Sequence, residues 1–158
     1  MRIGAVASVS LVLMVGSASR LPAQTYVSFE VPLNLTQLSL DIERVRVTCI
    51  VAGDGLIGFP SASNFNPTDP NAPLPGPAAR QEILVAGGQL VGSIKLIVGI
   101  PAELLSNPIG KTAYYGCILH GYSKSLQKWN LFYEAATEAP FKLKVTPDGG
   151  VIQGSFVW

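Results

Sequence analysis

Two cysteines and one histidine carry the most reactive side-chain chemistry in this chain of 158 residues. Cys49 lies in Val45-Arg46-Val47-Thr48-Cys49-Ile50-Val51, and Cys117 closes Thr112-Ala113-Tyr114-Tyr115-Gly116-Cys117, two runs rich in β-favouring residues. In an exported chain two cysteines are most simply a disulfide, because the compartment beyond the membrane is oxidising. His120 is the only histidine; a hydrolytic triad would need a serine and a carboxylate brought to it, and no Gly-x-Ser-x-Gly elbow marks a nucleophile. The ten acidic residues are scattered singly, unlike the paired carboxylates of a glycosidase. Asn64, Asn66, Asp69 and Asn71 offer oxygen ligands for calcium, but only Asp69 is charged, and asparagines beside prolines build turns. The residue types point to a protein without cofactor, metal or catalytic centre.

The one run that suggests a metal is Cys117-Ile118-Leu119-His120. It resembles the blue-copper signature, in which a cysteine precedes a histidine by three residues on the edge of a β-sandwich and a methionine follows. That signature also requires a second histidine. Here His120 stands alone, Ser125 occupies the methionine's place, and Met1 and Met14 both lie in the leading segment.

That leading segment reads as an export signal over residues 1–23. Arg2 gives a positive start, residues 3–18 are apolar or small throughout, and Ser19-Arg20-Leu21-Pro22-Ala23 is similar to the region before a signal-peptidase cut. Cleavage after Ala23 leaves residues 24–158, enough for one domain with a core of its own. The alternative is a retained anchor through residues 3–18, although that run is shorter than the roughly 20 residues of a spanning helix. Setting aside Arg2 and Arg20, nine basic residues face ten acidic ones with no charge block, so nucleic acid is a poor partner. The expected location is periplasmic or extracellular.

The elements that must position these residues are strands. Val27, Phe29, Val31, Leu33 and Leu35 alternate with polar residues, as do Val45, Val47, Cys49 and Val51 against Arg44, Arg46 and Thr48, predicting two half-buried strands. The first could also be donated to a neighbouring subunit by strand addition. Residues 58–80 hold six of the twelve prolines, which rules out a helix or inner strand and marks a long loop. Phe59, Phe65 and Leu74 in that loop are the candidate partner-binding residues. Gly87-Gly88 predicts a tight hairpin turn, residues 101–106 a helical turn, and Trp129, Leu131 and Tyr133 a strand opposite a wet face. Phe141, Leu143 and Val145 predict another strand, with Pro147-Asp148-Gly149-Gly150 turning it into a hairpin with residues 151–157.

Thr112-Ala113-Tyr114-Tyr115-Gly116-Cys117 resembles the sixth strand of the immunoglobulin superfamily, and Val45-x-Val47-x-Cys49 with Gly53 is similar to its second. The resemblance spans about residues 45–117. It implies an antiparallel, immunoglobulin-like β-sandwich whose Cys49–Cys117 disulfide joins the two sheets, with Tyr115 closing a corner. The family's core tryptophan is missing, since Pro60 to Ser63 occupy its place, and Lys111 replaces the usual aspartate. No active site comes with such a scaffold. The expectation is an all-β domain of about eight strands, non-catalytic, binding protein partners as a structural or accessory subunit of a cell-envelope assembly. Alternatives are an adhesin or pilus-like subunit using strand addition, a small outer-membrane barrel ending on Phe156-Val157-Trp158, and a secreted hydrolase.

Overall fold

The computed structural model describes residues 10–12, 24–58, 74, 76–132, 136–142 and 151–158, with 10–12 and 151 described as backbone. Among the described residues eight strands run in order: β1 Ser10–Val12, β2 Gln24–Leu35, β3 Ile42–Gly53, β4 Ala78–Leu84, β5 Leu90–Pro101, β6 Thr112–Ser123, β7 Lys128–Leu131 and β8 Val151–Val157. Two short 3-10 turns, Ala102–Leu104 and Ala139–Phe141, are the helical elements among the described residues. One antiparallel sheet has the order β1-β2-β5. The other runs β4-β3-β6, and the far edge of β6 is divided: β7 pairs with Gly121 and its neighbours, β8 with Thr112 to Ile118.

Alternation explains how the sheets meet. Every second residue of β2 from Val27 to Leu35 is buried, and the pairing Val27↔Val98, Phe29↔Leu96 and Val31↔Ile94 puts the apolar residues of β5 on the same face. Val45, Val47, Cys49 and Val51 of β3 and Ala113, Cys117 and Leu119 of β6 meet them in one shared core. Each fully buried side chain of this kind contributes about 1.5–3 kcal/mol, so the two inner faces hold the fold.

Gly87 and Gly88 do make the expected turn: both have positive φ (60° and 71°), the geometry of a two-residue hairpin connection. The expected hairpin, however, ends at the Ala86↔Gln89 bridge, because β4 pairs with β3 and β5 with β2 in the other sheet. Periodicity fixes which residues of a strand face inward, and two long strands, β2 and β3, compete for the arms.

The disulfide joins Cys49 and Cys117, but within a sheet and not between sheets. The two residues are direct cross-strand partners of β3 and β6 with Cα atoms 4.1 Å apart, the spacing of a non-hydrogen-bonded antiparallel pair. The cysteines' strands are thus neighbours in one sheet, whereas the immunoglobulin arrangement puts them in opposite sheets.

Three further expectations are corrected. The second face of β3 is not wet: Arg46, Thr48, Ile50 and Ala52 are all buried, as are Ile118 and His120 beside them on β6. Just past β7 the core residue is Phe132, while Trp129 and Leu131 of β7, paired with Tyr122 and His120, lie half-buried on that second face. Phe141 is fully buried in a 3-10 turn rather than in a strand; residues 143–150 lie outside the described residues.

Candidate interaction surface

The second face of the larger sheet carries the densest polar and aromatic constellation among the described residues. Register places Leu84, Arg44, Tyr122 and Trp129 in one row across β4, β3, β6 and β7, and Glu82, Arg46, His120 and Leu131 in the next. The Arg44 guanidinium lies 4.2 Å from the Tyr122 ring centre and 5.3 Å from that of Trp129; Arg46 reaches diagonally to within 4.0 Å of Trp129. Tyr122 and Trp129 are themselves 5.3 Å apart and tilted.

Glu82 binds both cations. Arg46 Nε and Nη2 donate to its Oε1 at 3.1 and 2.8 Å, and Arg44 Nη1 donates to Oε2 at 3.2 Å. The Arg46 side chain is only 11% exposed, against 39% for Glu82. A half-exposed ion pair contributes about 0–1 kcal/mol, and a guanidinium over a half-exposed ring about 0.5–1 kcal/mol. Stacking on Trp129 and Tyr122 and the ion pairs thus contribute comparably, and Glu82 fixes the orientation of the fork.

Two carboxylates border the site. The Ser123 hydroxyl donates to Asp41 Oδ2, Ser125 Oγ joins it at 3.0 Å, and the Ser125 N–H donates to Oδ1 at 2.8 Å. These bonds, that of Ser123 foremost, hold the Asp41 carboxyl below its ordinary range. They tie the start of β3 to the β6–β7 turn, where Ser123 Oγ also accepts the Leu126 N–H at 3.1 Å. The Lys128 ammonium, and less strongly the Asn130 amide at 3.3 Å, likewise lower Glu138.

The residues singled out from the sequence are distributed as follows. Cys49 and Cys117 form the disulfide, which removes Cys117 as a metal ligand beside His120. His120 is buried at 3% exposure beneath the second face, not solvent-facing. Tyr115 lies in β6 with its ring 5.1 Å from Phe29 and over Gly154 of β8. Leu74 is half-buried, and Phe59, Phe65 and the Asn64–Asn71 oxygen set lie outside the described residues. The Arg44, Arg46, Glu82, Tyr122 and Trp129 cluster was not singled out; its signal was the Arg-x-Arg spacing, which puts both cations on one face of a strand.

Comparison of the chain with protein-family models, with curated proteins and with solved structures found no match in any of the three.

Proposed function

We propose that the chain is an exported, non-catalytic β-sandwich module that binds protein partners, as a structural or accessory subunit of a cell-envelope assembly. The observation that carries the reading is the stack of half-buried Arg44, Tyr122 and Trp129 over the more deeply buried Arg46, held by Glu82. Arginine, tyrosine and tryptophan are the residues whose truncation costs most at protein interfaces, and here they are already ordered, which lowers the entropy lost on binding. The disulfide supports an oxidising location, periplasmic or extracellular. An immunoglobulin-like relationship stays part of the proposal on the residues around Cys49 and Cys117 alone, and the pairing of β3 with β6 in one sheet departs from that arrangement.

A strand-adding adhesin or pilus-like subunit is the second reading, favoured by β1 lying on the edge of β2. The barrel reading loses support, because the described strands form two sheets around an apolar interior, whereas a membrane barrel is apolar outside. A hydrolase using His120 would need that ring open to substrate, and it is buried.

The test is capture from a solubilised envelope extract with tagged wild-type, Trp129→Ala and Ile97→Ser chains, the last altering an exposed residue of the other sheet. A partner held by wild type and Ile97→Ser but lost with Trp129→Ala is the expected result. Identical capture by all three, or by none, defeats the proposal.

A further inference from the structure

β8 forms part of the outer edge of the larger sheet, and its unpaired side can be assigned group by group. Cys49 and Cys117 are a non-hydrogen-bonded pair, so the Cys117 N–H and C=O turn away from β3 and toward β8, where Cys117 stands opposite Ile152. Alternation then turns the backbone groups of Ile152, Gly154 and Phe156 toward β6, and those of Gln153, Ser155 and Val157 outward. The end of the ladder agrees: the Trp158 N–H donates to the Lys111 carbonyl at 3.1 Å, and the Gly110 N–H to that of Trp158 at 3.3 Å. Among the described residues no strand takes up the outward groups.

Open edges are ordinarily guarded by charge or proline. β4 carries Arg80 and Glu82, β5 Lys95 and β7 Lys128. β8 has no charged residue and no proline. It is also symmetrical in kind about Gly154, since Gln153 and Ser155 are polar and exposed while Ile152 and Phe156 are apolar and half-buried against the core.

A two-fold axis at Gly154 matches this pattern to itself. Gln153 then faces the partner's Ser155 as a hydrogen-bonded pair, which uses the outward groups of both, and Ile152 faces the partner's Phe156 on the core side. The two Gly154 residues meet as a non-hydrogen-bonded pair about 4.5 Å apart, where neither has a Cβ to collide. Beside this edge a hollow of about 280 Å³ is lined by Tyr114, Tyr115, Gln153, Gly154 and Ser155. The partner's long Gln153 side chain, set against the short Ser155, lies over it. Moving the axis to Gln153 or to Ser155 sets Gly154 against Ile152 or Phe156 and loses the match.

We propose that the open edge of β8 is a dimerisation site whose occupant is β8 of a second copy of this chain, paired antiparallel about Gly154 so that two larger sheets become one. The pairing uses no residue of the Arg44, Arg46, Tyr122 and Trp129 stack, so partner capture through that stack stands or falls separately.

Sedimentation of the full 158-residue chain should give twice the chain mass. Ser155→Pro removes an outward N–H and leaves the ladder to β6 whole, so this variant should sediment as a single chain with native circular dichroism. Mixing Gln153→Cys chains with Ser155→Cys chains under mild oxidation reads the register. The mixed pair is directly opposed, with about 5.5 Å between Cα atoms. It should link at least about tenfold faster than either variant links to itself, where the two positions are two residues, roughly 7 Å, out of register. A single-chain mass for the wild type, a dimer that survives Ser155→Pro, or equal linking of mixed and like pairs would each overturn the proposal. If Ser155→Pro does not fold, the linking rates decide.

Discussion

Gly121 sits in β6 directly beneath the Phe132 ring, and replacing it with alanine should be costly. A Cβ there would come 2.4 Å from Phe132 Cζ, 2.7 Å from Cε1 and 3.2 Å from Ile42 Cδ1. Carbon atoms in contact prefer about 3.5–4.0 Å, so the ring must retreat by about 1 Å in a core where Phe132 is fully buried and Ile42 nearly so. Gly121 has no positive φ, and an added methyl at such a site would otherwise stabilise by about 0.4–1 kcal/mol through the unfolded chain. Overpacking costs about 1–3 kcal/mol, so the expected net loss is about 1–2 kcal/mol, or a Tm lowered by about 4–8 °C for a domain of this size. Thermal unfolding followed by circular dichroism measures it. Shortening the ring with Phe132→Leu should make the second substitution cheaper, with a coupling of about 1 kcal/mol in a double-mutant cycle. An unchanged or raised Tm for Gly121→Ala, or strict additivity with Phe132→Leu, would refute the packing of Phe132, just past β7, over β6.

Gly154→Ala should behave similarly, because its Cβ would lie 2.5 Å from the Tyr115 hydroxyl oxygen and 2.6 Å from Cζ. Tyr115 is held on its other side by Phe29, so a loss of about 1–3 kcal/mol is expected in denaturant unfolding, relieved by Tyr115→Leu. Asp41→Asn should flatten the acid limb of stability: the folded carboxyl is held below its ordinary pKa, so its contribution is complete above about pH 5 and fades as pH falls through the folded value. Melting temperature measured from about pH 6 to about pH 2 should fall less steeply in the variant, and parallel curves would contradict the Ser123 and Ser125 bonds. Replacing both cysteines with alanine releases a link across 68 residues and should cost about 4 kcal/mol on the chain-entropy account, read from chemical denaturation under non-reducing conditions.

What could be read in the residues was the inward face of the long strands. Val27 to Leu35, Val45 to Val51 and Leu96 to Ile100 point where alternation sends them, since period-two burial is a local property. Neighbourhood is not local. Cys49 and Cys117 are both inward, and inward residues can meet across a core or along a sheet; only the β3–β6 register decides. β7 misled because its Trp129 and Leu131 lie half-buried on the second face, while the core position is taken by Phe132 just beyond the strand. The Arg46–Trp129 contact joins residues on strands separated by β6, so it emerges only once strand order is known, even though the Arg44-x-Arg46 spacing had put two cations on one face.

The proposed export of this β domain, and its closure by a bond between adjacent strands, are tested most directly by alkylating the denatured, unreduced protein recovered from the cell envelope and mapping its peptides. The expected result is one linked pair containing Cys49 and Cys117 and no alkylated thiol; two alkylated cysteines would contradict both the closure of the sheet and the oxidising location.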